Sequence, residues 1–262
     1  MRLDNYLVEN GYFETRNKAQ QAIKSNRIKV NNKLVTKTGF NINFNDKVDI
    51  EKIDYEFVSR GGYKLLKAIK EFNLNFKDKV IMDLGASTGG FTDCAIQFGA
   101  KKVYAIDVGS NQLAPILHNN PKIISIENKN VKDLEVDEYK DIDYIVMDLS
   151  FISITKLLDI LDNLLYNDKI LLIALIKPQF EAENRNINKN GLVKDKKIHI
   201  NILNKIITSF YDKGMYLNNL SFSPIKGEKS GNIEYLALIS KNKSDLIFDI
   251  AKIVDLAYKN LL

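Results

Sequence analysis

The chain has 262 residues, 45% hydrophobic and 27% charged, a globular composition that excludes a disordered or fibrous protein. Its longest apolar run, Ile170 to Ile176, is far too short to span a bilayer, and its amino terminus lacks the apolar stretch of a secretory signal. One cysteine and two histidines exclude an internal disulfide and a typical zinc site, so the sequence points to a cytoplasmic protein without structural metal or membrane partner.

The net charge of +5 lies wholly in residues 1–44, which hold eight Lys/Arg against three Asp/Glu. Leu3 and Leu7, four apart, mark a first helix that Gly11 can end. Thr15 can cap a second helix running to Ser25, with Ala19, Ala22 and Ile23 facing inward. Ile28 to Asn31 then alternates apolar and polar, Asn31-Asn32 is a turn signal, and Lys47 to Glu51 closes a small sheet. From Arg16 to Lys33 the chain carries Arg16, Lys18, Lys24, Arg27, Lys29 and Lys33 without an acid. Such a cluster on an otherwise neutral chain suits a polyanion, either nucleic acid or anionic lipid.

The pattern Arg2-Leu3-Asp4, Arg16, Ala19, Ile23, Arg27-Ile28-Lys29-Val30-Asn31 and Asp46-Lys47-Val48 resembles the S4 RNA-binding domain. The resemblance implies that the second helix and the following strand present Arg16, Lys18, Lys24, Arg27 and Lys29 to structured RNA. Arg2, Lys33 and Arg60 are further candidate RNA contacts.

A linker of roughly Lys52 to Arg60 follows, dividing the chain into a 1–59 unit and a 60–262 unit. Beyond it, strands and helices alternate, as a parallel α/β sheet requires. Strands are expected at Val80–Leu84, Val103–Asp107, Ile123–Ile126, Tyr144–Asp148, Ile170–Ile176, Tyr216–Ser223 and Glu234–Ile239. Helices are expected at Tyr63–Phe72, Phe91–Phe98, Ile154–Leu165 and Lys197–Tyr211, with an amphipathic one from Asp245 to Leu261. The fifth strand is apolar on both faces, as at the centre of a covered sheet. The last two strands lack a helix between them and read as an antiparallel hairpin. Asn184 to Lys194 is polar and expected to be mobile.

Asp83-Leu84-Gly85-Ala86-Ser87-Thr88-Gly89-Gly90-Phe91 follows the first strand of this second unit and opens a helix. Its glycines permit a tight turn and a close approach of backbone to ligand. It lacks the Gly-Lys-Ser/Thr ending of a phosphate-cradling loop and departs from Gly-x-Gly-x-x-Gly. Asp107 ends the next strand, placed to accept from two ribose hydroxyls. Together these resemble the S-adenosylmethionine site of Rossmann-like methyltransferases. That likeness implies cofactor contacts from Asp83, Gly85, Ala86, Ser87, Gly89 and Phe91. It adds Asp107 with Val108 at the ribose, Asn130 near the adenine edge, and Asp148.

Lys64, Asp148, Lys177 and Glu234 fall where a parallel sheet with an antiparallel last strand brings its ligand-binding edge together. They resemble the Lys-Asp-Lys-Glu tetrad of FtsJ-type ribose 2′-O-methyltransferases. A ribose hydroxyl is a poor nucleophile at neutral pH, and a lysine beside a second cation in a water-poor cleft becomes a usable base. In that scheme Lys177 is the base, Lys64 holds the developing oxyanion, and Asp148 and Glu234 orient Lys177. No metal is required.

The S4-like and FtsJ-like units, with Val58 to Leu65 and Lys177-Pro178-Gln179-Phe180-Glu181, resemble the TlyA family from Arg2 to about Ile239. The resemblance implies 2′-O-methylation of cytidine in 23S, and in some members also 16S, ribosomal RNA, linked to capreomycin-type antibiotic sensitivity. The short chain resembles the 23S-only form. Two competing classes remain: a membrane-active haemolysin and a non-catalytic S4-type RNA-binding protein. The absence of a spanning helix argues against the first, and retention of the tetrad and glycine loop against the second. Cys94 reads as a small core residue, and His118 and His199 as surface or loop residues.

Overall fold

The computed structural model describes residues 1–43, 45–51, 55–227, 231–244 and 246–261. Lys52, the expected start of the linker, and Asp245, the expected start of the last helix, lie outside the described residues. The chain divides into two compact units, Met1–Glu56 and Phe57–Leu262, where the sequence suggested a division between 59 and 60.

The first unit contains α1 (Leu3–Glu9), α2 (Arg16–Lys24), β1 (Ile28–Val30), β2 (Lys33–Leu34) and β3 (Val48–Ile50), with an antiparallel sheet in the order β2-β1-β3. Gly11, at φ 73°, follows α1, and the Thr15 hydroxyl caps α2 by accepting from the Lys18 N–H. β1 turns into β2 through Asn31 and Asn32, both left-handed, the backbone that matches the twist of a two-residue hairpin. Leu3, Leu7, Ala19, Ala22, Ile23, Ile28 and Val30 fill the core. Burial of these apolar positions turns the intervening basic residues outward.

The second unit begins with α3 (Gly61–Glu71), β4 (Val80–Leu84), α4 (Gly90–Gln97), β5 (Lys102–Ile106), α5 (Pro115–His118), β6 (Ile123–Ile126) and β7 (Tyr144–Met147). It continues with α6 (Leu158–Leu164), β8 (Leu171–Ile176), α7 (Pro178–Glu181), α8 (Lys196–Tyr211), β9 (Tyr216–Phe222), β10 (Tyr235–Ser240) and α9 (Ile250–Leu261). One seven-stranded sheet has the order β6-β5-β4-β7-β8-β10-β9. β4 to β8 pair parallel with one another, and β10 is antiparallel to both β8 and β9. The chain builds outward through β5 and β6, then returns to the other side of β4 as β7. The strand order therefore reverses between β4 and β7, the crevice where open α/β sheets bind ligands.

Several elements differ from the sequence reading. The expected helix Ile154–Leu165 opens with a 3-10 turn, Ile154–Leu157, before α6. α9 starts only at Ile250, because the Asp249 carboxylate accepts from the Lys252 N–H and caps it there. His199 is fully buried on α8, bonded to the Tyr235 hydroxyl (2.8 Å) and the Val193 carbonyl (2.9 Å), not exposed. Asn232 fastens the polar segment expected to be mobile: its side chain accepts from the Val193 N–H and donates to the Gly191 carbonyl. Cys94 is a core residue. Among the described residues, no helix is long and apolar enough to cross a membrane.

Candidate active site

The carboxyl ends of β4, β7 and β8 open onto a cavity of about 550 Å3, a size typical of small-molecule sites. One wall is the turn after β4. Gly85 stands there at φ 85°, and its N–H and that of Ala86 both donate to the Ile106 carbonyl. A Cβ on Gly85 would come within 2.9 Å of the Leu149 side chain and 3.2 Å of the Asp148 carbonyl oxygen. Gly90 is required for a different reason: a Cβ there would sit 2.2 Å from Ser59 Oγ. That close approach brings the first turn of α3, and with it Lys64, beside the start of α4.

The opposite wall is a buried ion cluster. Lys64 Nζ lies 3.2 Å from Asp148 Oδ2 and 2.8 Å from Glu234 Oε2, and Lys177 Nζ lies 2.6 Å from Asp148 Oδ1. The sheet explains the convergence. Asp148 follows β7, Lys177 follows β8, and the antiparallel pairing of Tyr235 with Ile176 sets Glu234 at the same edge. Lys64 and Lys177 are each under a tenth exposed and Glu234 is 2% exposed. A lone cation so buried costs several kcal/mol, so the carboxylates are a condition of the cluster and not an ornament. Burial opposes the charge on Lys64, but Asp148 and Glu234 outweigh it and hold the amine above the ordinary lysine value. Burial likewise opposes the charge on Asp148, and the two lysines hold it below the usual carboxylate range.

One detail departs from the expected roles: Glu234 makes its ion pair with Lys64 and does not orient Lys177. Ser150 takes that place, its hydroxyl accepting from Lys177 Nζ at 2.9 Å. Lys64 thus has two carboxylate partners, and Lys177 one carboxylate and one hydroxyl.

The expected cofactor residues separate into three groups. Gly85, Ala86, Ser87, Phe91 and Asp148 line the cavity. Gly89 lies behind them at φ 89° as the cap of α4. Asp83 is fully buried beneath the loop, accepting from the Thr92 hydroxyl at 2.6 Å, and burial pushes its carboxyl up to about 7. It supports the turn and does not line the cavity. Asp107, Val108 and Asn130 also stand outside the cavity lining. Asp107 accepts from the Ser87 and Gly109 N–H groups, both at 2.8 Å, and so is joined to the glycine turn. Val108 is exposed, and Asn130 caps a 3-10 turn by accepting from the Lys132 N–H.

The cavity mouth holds residues that sequence reasoning missed. Phe151 is 82% exposed at φ 64°, with its ring 5.2 Å from that of Phe180. Glu181 accepts from the Ser153 hydroxyl and the Ile154 N–H, tying the loop after β8 to the loop after β7. An exposed phenylalanine reads as core in a sequence, and nothing in residue spacing shows its left-handed backbone.

In the first unit the basic residues are less free than their acid-free run suggested. Asp4, fully buried, accepts from both Arg2 and Arg16, and Lys18 pairs with Glu14 one turn back. Arg27 donates to the Glu51 carbonyl and lies over the Phe13 ring. Lys24, Lys29 and Lys33 are exposed. Arg60 belongs to the second unit and lines its cavity.

Residues 57–241 match the model of the FtsJ-like methyltransferase family, and residues 1–48 that of the S4 domain. The chain is 45% identical over 239 residues to a protein named Hemolysin A of Brachyspira hyodysenteriae, covering 90% of this chain and 98% of that one. It is 33% identical to the 23S rRNA (cytidine-2′-O)-methyltransferase TlyA of Campylobacter jejuni, covering 92% of this chain and all of the relative. The chain belongs to the TlyA family of FtsJ-like methyltransferases. A solved structure described as a putative hemolysin from Streptococcus thermophilus shares the TlyA-family architecture, with TM-score 0.73 and 37% identity over 99% of this chain and 96% of that one. The methyltransferase fold implies S-adenosylmethionine as methyl donor. The residues present fit it at the glycine turn: Gly85, Ala86, Ser87 and Phe91 line the cavity opposite the ion cluster, and Gly85 lies too close to Leu149 for a side chain.

Proposed function

We propose that this protein transfers a methyl group from S-adenosylmethionine to the 2′-hydroxyl of a cytidine in 23S ribosomal RNA. The observation that carries the reading is the Lys64–Asp148–Lys177–Glu234 cluster facing the glycine turn across one cavity. The bound donor supplies an electrophilic methyl on a sulfonium. The protein's own task is then to hold a ribose hydroxyl in line with that methyl and to remove its proton. Placement of this kind accounts for a large share of the acceleration in such a reaction.

Lys177 Nζ, as the neutral amine in the reactive form of the protein, takes the proton of the 2′-hydroxyl and becomes the ammonium paired with Asp148. Lys64, kept charged by two carboxylates, stabilises the oxygen as negative charge develops on it. Asp148 stands between the two lysine Nζ atoms and fixes their spacing, and Ser150 holds Lys177 at the angle for transfer. Gly85, Ala86, Ser87 and Phe91 bind the donor at the opposite wall, Asp107 with Val108 receives its ribose, and Asn130 meets its adenine. Phe151 and Phe180 stack on the target base, which must leave its helix for its sugar to reach Lys177. The S4 unit docks on the surrounding RNA through Lys24, Lys29 and Lys33, with Arg2, Arg16, Lys18 and Arg27 as supporting contacts.

The Campylobacter jejuni relative is named for 23S rRNA and the Mycobacterium tuberculosis relative, 30% identical, for both 16S and 23S, so 23S is the target their names share and supports this choice. Such methylation would tune sensitivity to capreomycin-type antibiotics. The test is a map of 2′-O-methylation on ribosomal RNA from cells with and without the protein. A cytidine methylated only in its presence is the expected result. Identical maps would contradict the proposal.

A further inference from the structure

We infer that Arg60 and Lys226 form an anion subsite at the mouth of the cavity, which takes the 3′-phosphate of the nucleotide being methylated. The inference rests on the methyltransferase reading above and extends it to the recognition of the RNA backbone.

Charge provides the first argument. Four cations, Arg60, Lys64, Lys177 and Lys226, and two carboxylates, Asp148 and Glu234, line the cavity. Both carboxylates are committed to Lys64 and Lys177. Among the described residues, Arg60 and Lys226 have no carboxylate partner. Among the described residues, the positive charges lining the cavity therefore exceed its carboxylates by two when Lys177 is protonated and by one when it is the free base.

Hydrogen bonding provides the second. Arg60 Nε is buried without a partner, and its terminal nitrogen makes only a long contact, 3.4 Å, to the Lys226 carbonyl oxygen. A guanidinium has five N–H donors in a planar fork that matches a phosphate. The Nε is sealed from the cavity, so an oxyanion there would meet the terminal N–H groups, which hold one long contact among the described residues.

Position supplies the third. Arg60 immediately precedes α3, one turn before Lys64. Lys226 adjoins Gly227, where a Cβ would lie 2.8 Å from Glu234 Oε1. The pair thus flanks the Lys64–Glu234 side of the cluster. In a nucleotide the 2′-oxygen and the 3′-phosphate sit on neighbouring ribose carbons. A hydroxyl delivered to Lys177 brings that phosphate along the same edge, and a fork with an adjacent ammonium suits it. The other anion of the reaction, the donor's methionine carboxylate, is the competing occupant.

The two sources separate in one set of binding measurements on the full chain. Arg60→Gln and Lys226→Gln, singly and together, are titrated with purified 23S ribosomal RNA across a salt series and, separately, with S-adenosylmethionine. The double variant is expected to bind RNA about tenfold more weakly at low salt. Its slope of log affinity against log salt should be shallower by about 0.7, the value for one phosphate contact on a single strand. Donor affinity should be unchanged. Loss of donor affinity with RNA binding intact would assign the subsite to the methionine carboxylate and overturn the inference. Unchanged affinity for both ligands would overturn it as well. Lys226→Gln alone, at a residue that is only half-buried, preserves the test if Arg60→Gln disturbs the start of α3. Absence of methyl transfer by the wild-type protein would instead overturn the functional reading, which a separate assay decides.

Discussion

Asp83 shows how a single residue can matter to the site without touching its ligand. Its side chain lies at the end of β4 with no exposure, bonded to Thr92, and its other oxygen has no hydrogen-bond donor. Burial raises the carboxyl from the ordinary 3.8 to about 7, with the negative charges of Asp148 and Asp107 adding to the effect. Between those two values the folded chain binds a proton that the unfolded chain has released. Folding stability from this group is therefore full below about 4 and is lost as pH rises through about 7. Asp83→Asn keeps the bond to Thr92 and removes the titration. The difference in thermal midpoint between wild type and variant should then move in the variant's favour from pH 4 to pH 7 and level off above. Parallel curves over that range would show that Asp83 does not titrate there.

At the scale of elements, the basic face of the first unit divides into committed and available charges. The helical return that places Lys18 beside Glu14, and the packing of α1 on α2 that delivers Asp4 to Arg16, both act across the amino-terminal end of the acid-free run. Linear spacing could not reveal this, because the neutralising acids stand outside that run. Lys24 at the end of α2, Lys29 on β1 and Lys33 on β2 remain exposed. Replacing these three by glutamine should weaken binding to ribosomal RNA and reduce the salt slope by about 0.7–0.9 for each phosphate that is no longer neutralised. The affinity for S-adenosylmethionine should stay the same. A salt slope equal to that of the wild type would remove this face from the RNA-binding surface. The seven strands of the second unit were legible, since apolar runs such as Leu171–Ile176 are local signals, whereas β2, two exposed residues after the Asn31–Asn32 turn, was not. The helix beginning at Ile250 and the 3-10 opening at Ile154 were not, because capping by one side chain decides them.

At the scale of the whole molecule, the sheet order converts scattered polar residues into one site. Lys64, Asp148, Lys177 and Glu234 span 170 positions, yet the reversal beside β4 and the antiparallel β10 bring them within ion-pair distance. Their residue types, with Lys64 at a helix start and the other three at strand ends, were readable in the sequence. The division of labour among them was not, because which carboxylate reaches which amine depends on side-chain packing. The same limit applies to Ser150 and Phe151, whose roles come from loop backbone and not from periodicity. Transfer of labelled methyl from S-adenosylmethionine to 23S ribosomal RNA by purified wild-type protein and by Lys177→Ala tests the central claim most directly, with donor binding measured on both by calorimetry. The account predicts labelled 2′-O-methylcytidine with the wild type, and donor binding without methyl transfer in the variant. Turnover by Lys177→Ala at the wild-type rate would contradict it.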